Sequence, residues 1–206
     1  MNNEKTVSSW KNAFRRGFEK KYIELIIDSY KKIVVESFQE IPWEDTRRNL
    51  LCKQMRKNKA KYGITFNIAT EAGVYDENYK DKGRIDICCY LSSLEDEYIA
   101  FECKRFLKEE VIPSHIRDEY YKKGIKRFED NIYSENMNIG GMIAFLETGN
   151  FGKLHSRLTT ELPQYTLDKV VLDISGQYLY KYILKTRHKR NKNNAIVLFH
   201  ILMDFS

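Results

Sequence analysis

The stretch from residue 83 to residue 106 constrains the fold more than any other part of the chain. Its halves, GRIDICCYL and EYIAFECKRF, are rich in β-branched, aromatic and cysteine residues, and the polar SSLED separates them. This pattern predicts two strands joined by a turn. A turn centred near Leu94 would place Asp86 opposite Glu102, whereas a slip of one residue would send Asp86 to the other face of the sheet.

Three charged side chains interrupt these apolar strands. Glu102 and Lys104 are two residues apart, so on a strand they share one face, and the expected register adds Asp86 to them. Two carboxylates and a lysine side by side are costly to bury unless a cation joins them. Mg²⁺ prefers oxygen ligands and needs only one or two carboxylates beside a phosphate. The sequence therefore predicts a Mg²⁺ site, and the alternative is an ordinary cross-strand ion pair on an exposed face.

The arrangement Ile85-Asp86, then fifteen residues, then Glu102-Cys103-Lys104 resembles the motif of the PD-(D/E)XK nuclease superfamily. Isoleucine replaces the proline of the motif. The resemblance implies a restriction-endonuclease-like α/β fold, with a central mixed β-sheet flanked by helices in the order αβββαβ and C-terminal β additions. It also implies that the carbonyl of Cys103 joins Asp86 and Glu102 in holding Mg²⁺ or Mn²⁺. Lys104 would orient or deprotonate the attacking water, or stabilise the growing negative charge.

Two acidic residues compete for one further role that the resemblance implies. The superfamily carries an upstream acidic residue on the helix before its first strand, and Glu44 matches that place. A carboxylate in a first helical turn is also favoured by the helix dipole alone. Glu71, predicted to end the first strand, is the competitor, and it could also ligate the metal. Both are kept as candidates.

Basic residues in two places predict contacts with nucleic acid. In the helix after Glu-x-Lys, Tyr121, Lys123 and Arg127 resemble the superfamily's fourth element, which positions phosphate or water. A later basic run, predicted to be a loop, offers further cations to backbone phosphates: Arg187, Lys189 and Arg190. The net charge of +6 suits a polyanionic partner. In both places the alternative is a solvated basic surface.

Hydrophobic periodicity gives the remaining elements. It predicts helices over residues 11–39, 43–57, 113–131 and 153–161, and strands over 64–71, 139–146, 165–174, 178–184 and 195–205, with the basic loop over 185–194. The all-apolar strand 139–146 is expected at the centre of the sheet. A single domain is predicted, divided into a helical extension (1–40), the nuclease-like core (41–146) and a β-rich addition (147–206).

These features favour a Mg²⁺-dependent endonuclease that hydrolyses phosphodiester bonds. The resemblance implies DNA as the substrate and a role in defence or repair. The alternative hypothesis is an inert nucleic-acid-binding or regulatory module with the same fold, and a homodimer or a partner protein is compatible with either. The sequence lacks a run of eighteen apolar residues, a secretory apolar segment at the N-terminus and C-x-x-C spacing. We therefore expect a cytoplasmic protein that does not bind membranes and has reduced cysteines.

Overall fold

The structure, a computed structural model, describes residues 3–35, 44–75, 78, 80–91, 97–135, 137–191 and 195–206. Within them the helices are α1 (Asn3–Val35), α2 (Glu44–Asn58), α3 (residues 113–129) and α4 (Phe151–Glu161), accompanied by short 3₁₀ turns. The strands are β1 (Ile68–Tyr75), β2 (Asp81–Tyr90), β3 (Tyr98–Phe106), β4 (Ile139–Leu146), β5 (Leu172–Asp173), β6 (Ile183–Lys189) and β7 (Ala195–Asp204). None of the described helices has the length and apolar character needed to cross a membrane.

All seven strands form one mixed sheet in the order β1-β2-β3-β4-β7-β6-β5. Strands β3, β4 and β7 run parallel to one another, and the other neighbours are antiparallel. The α/β class and the mixed sheet flanked by helices are therefore as predicted. Every residue of β4 is buried, and β4 lies at the centre of the sheet, as its continuous apolar sequence indicated.

Each face of the sheet carries its own hydrophobic core. Helices α1 and α2 cover one face, and helices α3 and α4 cover the other. In α1, the hydroxyls of Tyr22 and Tyr30 donate to the carbonyls of Tyr90 and Asp204, both at 2.6 Å. Because α1 is anchored in this way, it is an integral layer of the fold. The four cysteines are buried, and none of them forms a disulfide.

Helix α3 is a composite of three segments. It is α-helical over Pro113–His115, π-helical over Ile116–Ile125 and α-helical again over Lys126–Glu129. A Cβ on Gly124 would lie 2.5 Å from Cε of Met142 and 3.5 Å from Cε of Lys104. The missing side chain therefore allows α3 to approach β3 and β4 closely over Lys104.

Several predicted boundaries were wrong. Strand β1 begins four residues later than predicted, so Glu71 lies within the strand and not at its end. Helix α1 begins at Asn3, and the predicted residues 36–39 and 43 of the first two helices lie outside the described residues, as does the predicted turn at 92–96. The predicted strand 165–174 contains only the two-residue β5, and most of 178–184 precedes β6.

The first half of the predicted basic loop, residues 185–189, belongs to strand β6, and residues 192–194 lie outside the described part of the chain. Strand β6 pairs along its whole length with β7. Thr186 and His188 are buried on one face, while Arg187 and Lys189 are exposed on the other. Polar residues at the buried positions concealed the alternation that is typical of a strand with one solvated face.

Candidate functional site

The site forms where strands β2 and β3 separate. Their ladder ends at the pair Ile87 and Phe101, and continuing that register would place Asp86 across from Glu102, as predicted. The predicted sharing of one face is not shown, because Asp86 contacts Arg48 on α2 whereas Glu102 lies on the α3 face. Beyond this point β2 pairs with β1 and β3 pairs with β4. We call this region, bounded by Asp86 and by residues 102–105, the sheet opening.

The β3 amides that face the sheet opening donate hydrogen bonds to carboxylates. The amide of Cys103 donates to Oδ2 of Asp86, and the amide of Arg105 donates to Oε2 of Glu44, both at 2.7 Å. Since the N–H and C=O of a strand residue point to the same edge, the carbonyl of Cys103 also faces this opening. The first turn of α2 supplies Glu44, whose pKa is raised by burial. The acids at positions 44 and 86 therefore hold the edge of β3 in place of a neighbouring strand.

Glu102 and Lys104 lie on the α3 face of the sheet and form an ion pair. Oε1 of Glu102 accepts a hydrogen bond from Nζ of Lys104 at 2.7 Å, whereas Oε2 is buried and has no hydrogen-bond partner. Glu102 is 2% exposed, and burial, reinforced by the charge of Asp86, raises its pKa to about 7. Burial acts to lower the pKa of Lys104, but its carboxylate neighbours, led by Glu102, raise it overall. Lys104 is therefore protonated at neutral pH.

Helix α3 brings one of its predicted residues to the site. Nη1 of Arg127 lies 3.6 Å from Oε2 of Glu102, too far for a hydrogen bond. The same nitrogen donates to the hydroxyl of Tyr133, which in turn donates to the carbonyl of Arg84 on β2. Tyr133 thus links the cation on α3 to the strand that carries Asp86. No local sequence pattern indicates this role of Tyr133, because the contact joins distant segments.

Arg48 is a functional candidate that the sequence analysis missed. Its guanidinium is buried and lies 3.0 Å from Asp86, 2.9 Å from Glu71 and 3.1 Å from Asp45. Glu71 adopts φ of 55°, which is uncommon for any residue other than glycine. Arg48 lies four residues after Glu44, and that spacing puts the two on one side of a helix, which is a signal that could have identified it.

An open cleft of about 470 Å³ adjoins the sheet opening. Its lining mixes acidic and basic side chains: Glu44, Lys104, Arg105, Glu110, His115 and Glu119. Lys123 forms an ion pair with Glu119 at 2.6 Å, which places this predicted residue at the rim of the cleft. Of the two candidate upstream acids, Glu44 borders the cleft beside Lys104, and Glu71 is paired with Arg48.

Tyr121 lies away from the sheet opening, in a buried polar network. Its hydroxyl donates to Oε2 of Glu129 at 3.0 Å, and its ring stacks on Tyr165 at 4.0 Å. The network continues through hydrogen-bonded contacts from Glu129 to His188, Thr186, His200 and Tyr120. Tyr121 therefore helps to join α3 to β6 and β7, and the structure does not bring it to Lys104.

The basic residues predicted in the loop do not reach the site. Arg187 and Lys189 lie on the face covered by α1 and α2, whereas Glu102 and Lys104 lie on the opposite face. Arg190 is 2% exposed, and its guanidinium donates to five backbone carbonyls, those of Phe128, Tyr133, Ser134, Glu135 and Met137. The prediction that Arg190 contacts phosphate is thus at odds with its position, because all of these donors serve the fold.

The donor set at the sheet opening fits a small hard cation. Among the described residues no three or more His, Cys, Asp and Glu side chains gather as a metal site. Two carboxylates and one carbonyl remain, those of Asp86, Glu102 and Cys103, and Mg²⁺ is bound by as few as one or two carboxylates. Oε2 of Glu102, which has no hydrogen-bond partner and lies 3.6 Å from Nη1 of Arg127, is the oxygen that such an ion would contact.

Comparison of the chain with protein-family models, curated proteins and solved structures found no match. The resemblance to the PD-(D/E)XK superfamily therefore depends on Asp86, Glu102 and Lys104 and on the order of the elements around them, and it stays a prediction.

Proposed function

We propose that this chain is a Mg²⁺-dependent nuclease that hydrolyses phosphodiester bonds in DNA, with a restriction-endonuclease-like core. The observation that carries the proposal is the buried carboxylate of Glu102, which keeps one oxygen without a hydrogen bond beside Lys104 and Asp86. A buried carboxylate oxygen without a hydrogen bond is costly, and the guanidinium of Arg127, at 3.6 Å, offsets that cost only in part. The order α2, β1, β2, β3, α3, β4 agrees with the αβββαβ core and supports the same proposal.

Asp86, Glu102 and the carbonyl of Cys103 would hold the ion. When bound, Mg²⁺ supplies positive charge that neutralises the phosphate oxygens and the leaving oxygen. The chain itself fixes the ligands: the amide of Cys103 orients Asp86, and Lys104 orients Glu102. Such pre-orientation reduces the reorganisation needed when charge develops in the transition state.

Lys104 is assigned the stabilisation of negative charge, because its raised pKa keeps it protonated. A protonated ammonium cannot remove a proton from water, but it can donate to a phosphate oxygen that enters the adjoining cleft. Glu44 borders the same cleft and has a raised pKa, so it is the better of the two upstream candidates for accepting a proton. Glu71, whose carboxylate faces Arg48, is assigned to the support of that arginine.

One observation favours the inert nucleic-acid-binding module as a second candidate. Asp86 is paired with Arg48, and Glu102 is paired with Lys104, so the chain already balances much of its buried negative charge. A site of this kind would hold its shape without a metal ion.

A cleavage assay on plasmid, linear duplex and single-stranded DNA, with Mg²⁺, Mn²⁺ or EDTA, separates the two candidates. We expect cleavage that EDTA abolishes, and a fall of at least about a hundredfold in Asp86→Asn, which removes a ligand charge. Asp168→Asn, on an exposed loop, makes the same chemical change away from the site and serves as the control. DNA binding without cleavage would support the inert module, and cleavage that persists in EDTA or in Asp86→Asn would refute the metal assignment.

A further inference from the structure

Arg48 is the most heavily engaged cation of the site. Its Nη1 contacts Oδ1 of both Asp86 and Asp45, and its Nη2 contacts Oε1 of Glu71, all within 3.1 Å. Only 4% of the residue is exposed. One guanidinium thus contacts three carboxylates at the point where α2 meets β1 and β2, and its single charge balances only part of theirs.

Each oxygen of the Asp86 carboxylate accepts one hydrogen bond. Oδ1 accepts a hydrogen bond from Nη1 of Arg48 at 3.0 Å, and Oδ2 accepts one from the amide of Cys103 at 2.7 Å. The amide is fixed in the backbone of β3, whereas the guanidinium is at the end of a flexible side chain. A cation that approaches Asp86 from the sheet opening therefore competes with Arg48 and not with Cys103.

Glu71 is held in an unusual conformation beside this arginine. Its φ of 55° interrupts the pairing of β1 with β2, which includes Thr70 with Ile87 and Ala72 with Ile85 but leaves Glu71 out. A strained residue persists only where its surroundings over-determine it, and such residues cluster at functional sites. The ion pair with Arg48 is the contact that supports Glu71 here.

We propose that Arg48 is the resident countercation of the site, which holds Asp86 in the metal-free protein and is displaced from Oδ1 when a divalent cation binds. This inference rests on the proposed function, because it requires a metal ion at Asp86 and Glu102. It assigns to Arg48 the control of metal affinity. The positive charge that stabilises the empty site opposes the incoming cation by electrostatic repulsion and by occupying a ligand oxygen.

The sign of a metal-affinity change tests the proposal. Isothermal titration of Mn²⁺ into Arg48→Gln should show binding that is at least about tenfold tighter than in the wild type, because a competing positive charge has been removed. Arg48→Lys keeps the charge and should stay within about threefold of the wild type. Arg47→Gln is the matched control, since Arg47 is a buried neighbour on α2 that pairs with Glu147 instead, and it should leave Mn²⁺ affinity unchanged.

The Mn²⁺ titrations distinguish an arginine that competes with the metal from one that supports its ligand. Equal or weaker Mn²⁺ binding by Arg48→Gln would overturn the proposal, because it would make Arg48 a support that orients Asp86 for the metal. Glu102→Gln should lose Mn²⁺ binding, which shows that the titration reports this site. If the wild type itself binds no Mn²⁺, the proposed function fails and the role of Arg48 fails with it.

A measurement on the wild-type protein covers the case in which Arg48→Gln does not fold. In ¹⁵N-arginine side-chain spectra, buried guanidiniums held by ion pairs give protected Nη–H signals. Addition of Mg²⁺ should remove or shift the signals of Arg48 and leave those of Arg47 and Arg190 in place. Mg²⁺ binding with all three sets of signals unchanged would overturn the displacement of Arg48.

Discussion

Among the described carboxylates, Glu102 is the one whose pKa is raised most by its environment. Its folded-state pKa of about 7 exceeds its ordinary value of 4.5, chiefly because the carboxylate is buried. Between these two pH values the folded protein binds more protons than the unfolded chain. The free energy of unfolding of the metal-free protein should therefore fall as pH rises from about 4.5 to about 7, and stay low above that.

We predict that Glu102→Gln stabilises the metal-free protein at pH 8, by up to about 3 kcal/mol for a shift of this size. The gain should shrink towards zero near pH 4.5, where the wild-type carboxyl is already protonated. Urea unfolding of both proteins in EDTA at several pH values measures this. A loss of stability at pH 8 would instead mean that the ion pair with Lys104 is worth more than the burial of the charge costs.

Lys104 is predicted to act in the chemical step. Lys104→Ala should lower single-turnover cleavage at saturating Mg²⁺ by about two to four orders of magnitude, as expected for a lost charge stabiliser. Mn²⁺ affinity should change much less, because the ligands Asp86 and Glu102 remain. Titration calorimetry alongside the kinetics separates the two effects. A collapse of metal affinity with normal cleavage at saturating metal would make Lys104 a structural residue.

Whether the role of a single residue could be predicted depended on how far away in the sequence its contacts lie. Asp86, Glu102 and Lys104 follow from strand alternation and one turn register, both of which are local. Arg48 follows from helical spacing to Glu44, but only once α2 is known to face the sheet opening. Tyr133 and Arg190 act through backbone carbonyls of segments far away in sequence, and no local pattern encodes such contacts.

Among the elements, β6 was predicted as a loop because of its basic composition. Its cations suggested a solvated loop, yet alternate residues are buried in a polar network with Glu129 and His200. The adjoining Arg190 connects the end of α3 with the segment that carries Tyr133, because its guanidinium donates hydrogen bonds to the carbonyls of Phe128 and Tyr133. Tertiary hydrogen bonds, which satisfy polar groups in the core, decided the structure here.

This position predicts a sharp contrast between neighbouring arginines. Arg190→Gln leaves several buried carbonyls without donors and should destabilise the fold by about 3–5 kcal/mol. Arg187→Gln removes the same charge from an exposed strand position and should change stability by less than about 0.5 kcal/mol. Chemical denaturation of the two variants tests the contrast. Equal, small effects would mean that the carbonyl cage around Arg190 contributes little.

For the whole molecule, the order of helices and strands could be read from periodicity, and so could the central place of β4. The sheet order could not, because β4 pairs with β7 and not with the next strand in the sequence, and no local pattern encodes that choice. The distribution of charge over the two faces depends on this order. Arg84 is exposed on β2 two residues before Asp86, and Lys82 is exposed two residues earlier on the same strand. Arg187 and Lys189 lie three strands beyond β3, about 14 Å away at ordinary strand spacing, and on the face opposite Glu102 and Lys104.

This distribution yields a prediction about nucleic-acid binding that a net charge of +6 alone would not make. We expect a phosphate backbone that reaches Lys104 to continue across β2, so Lys82→Gln with Arg84→Gln should weaken DNA binding. It should also flatten the line of log affinity against log salt by up to about two units, one for each lost contact. Arg187→Gln with Lys189→Gln changes the net charge equally and should leave the slope within about half a unit.

Filter binding over a range of salt concentrations, with Ca²⁺ in place of Mg²⁺ to prevent cleavage, compares the two double variants. If the two double variants weaken binding equally, the overall charge of the protein determines DNA affinity, and DNA does not follow a path across the sheet opening. If only Arg187→Gln with Lys189→Gln weakens binding, DNA lies on the face covered by α1 and α2, away from Glu102 and Lys104.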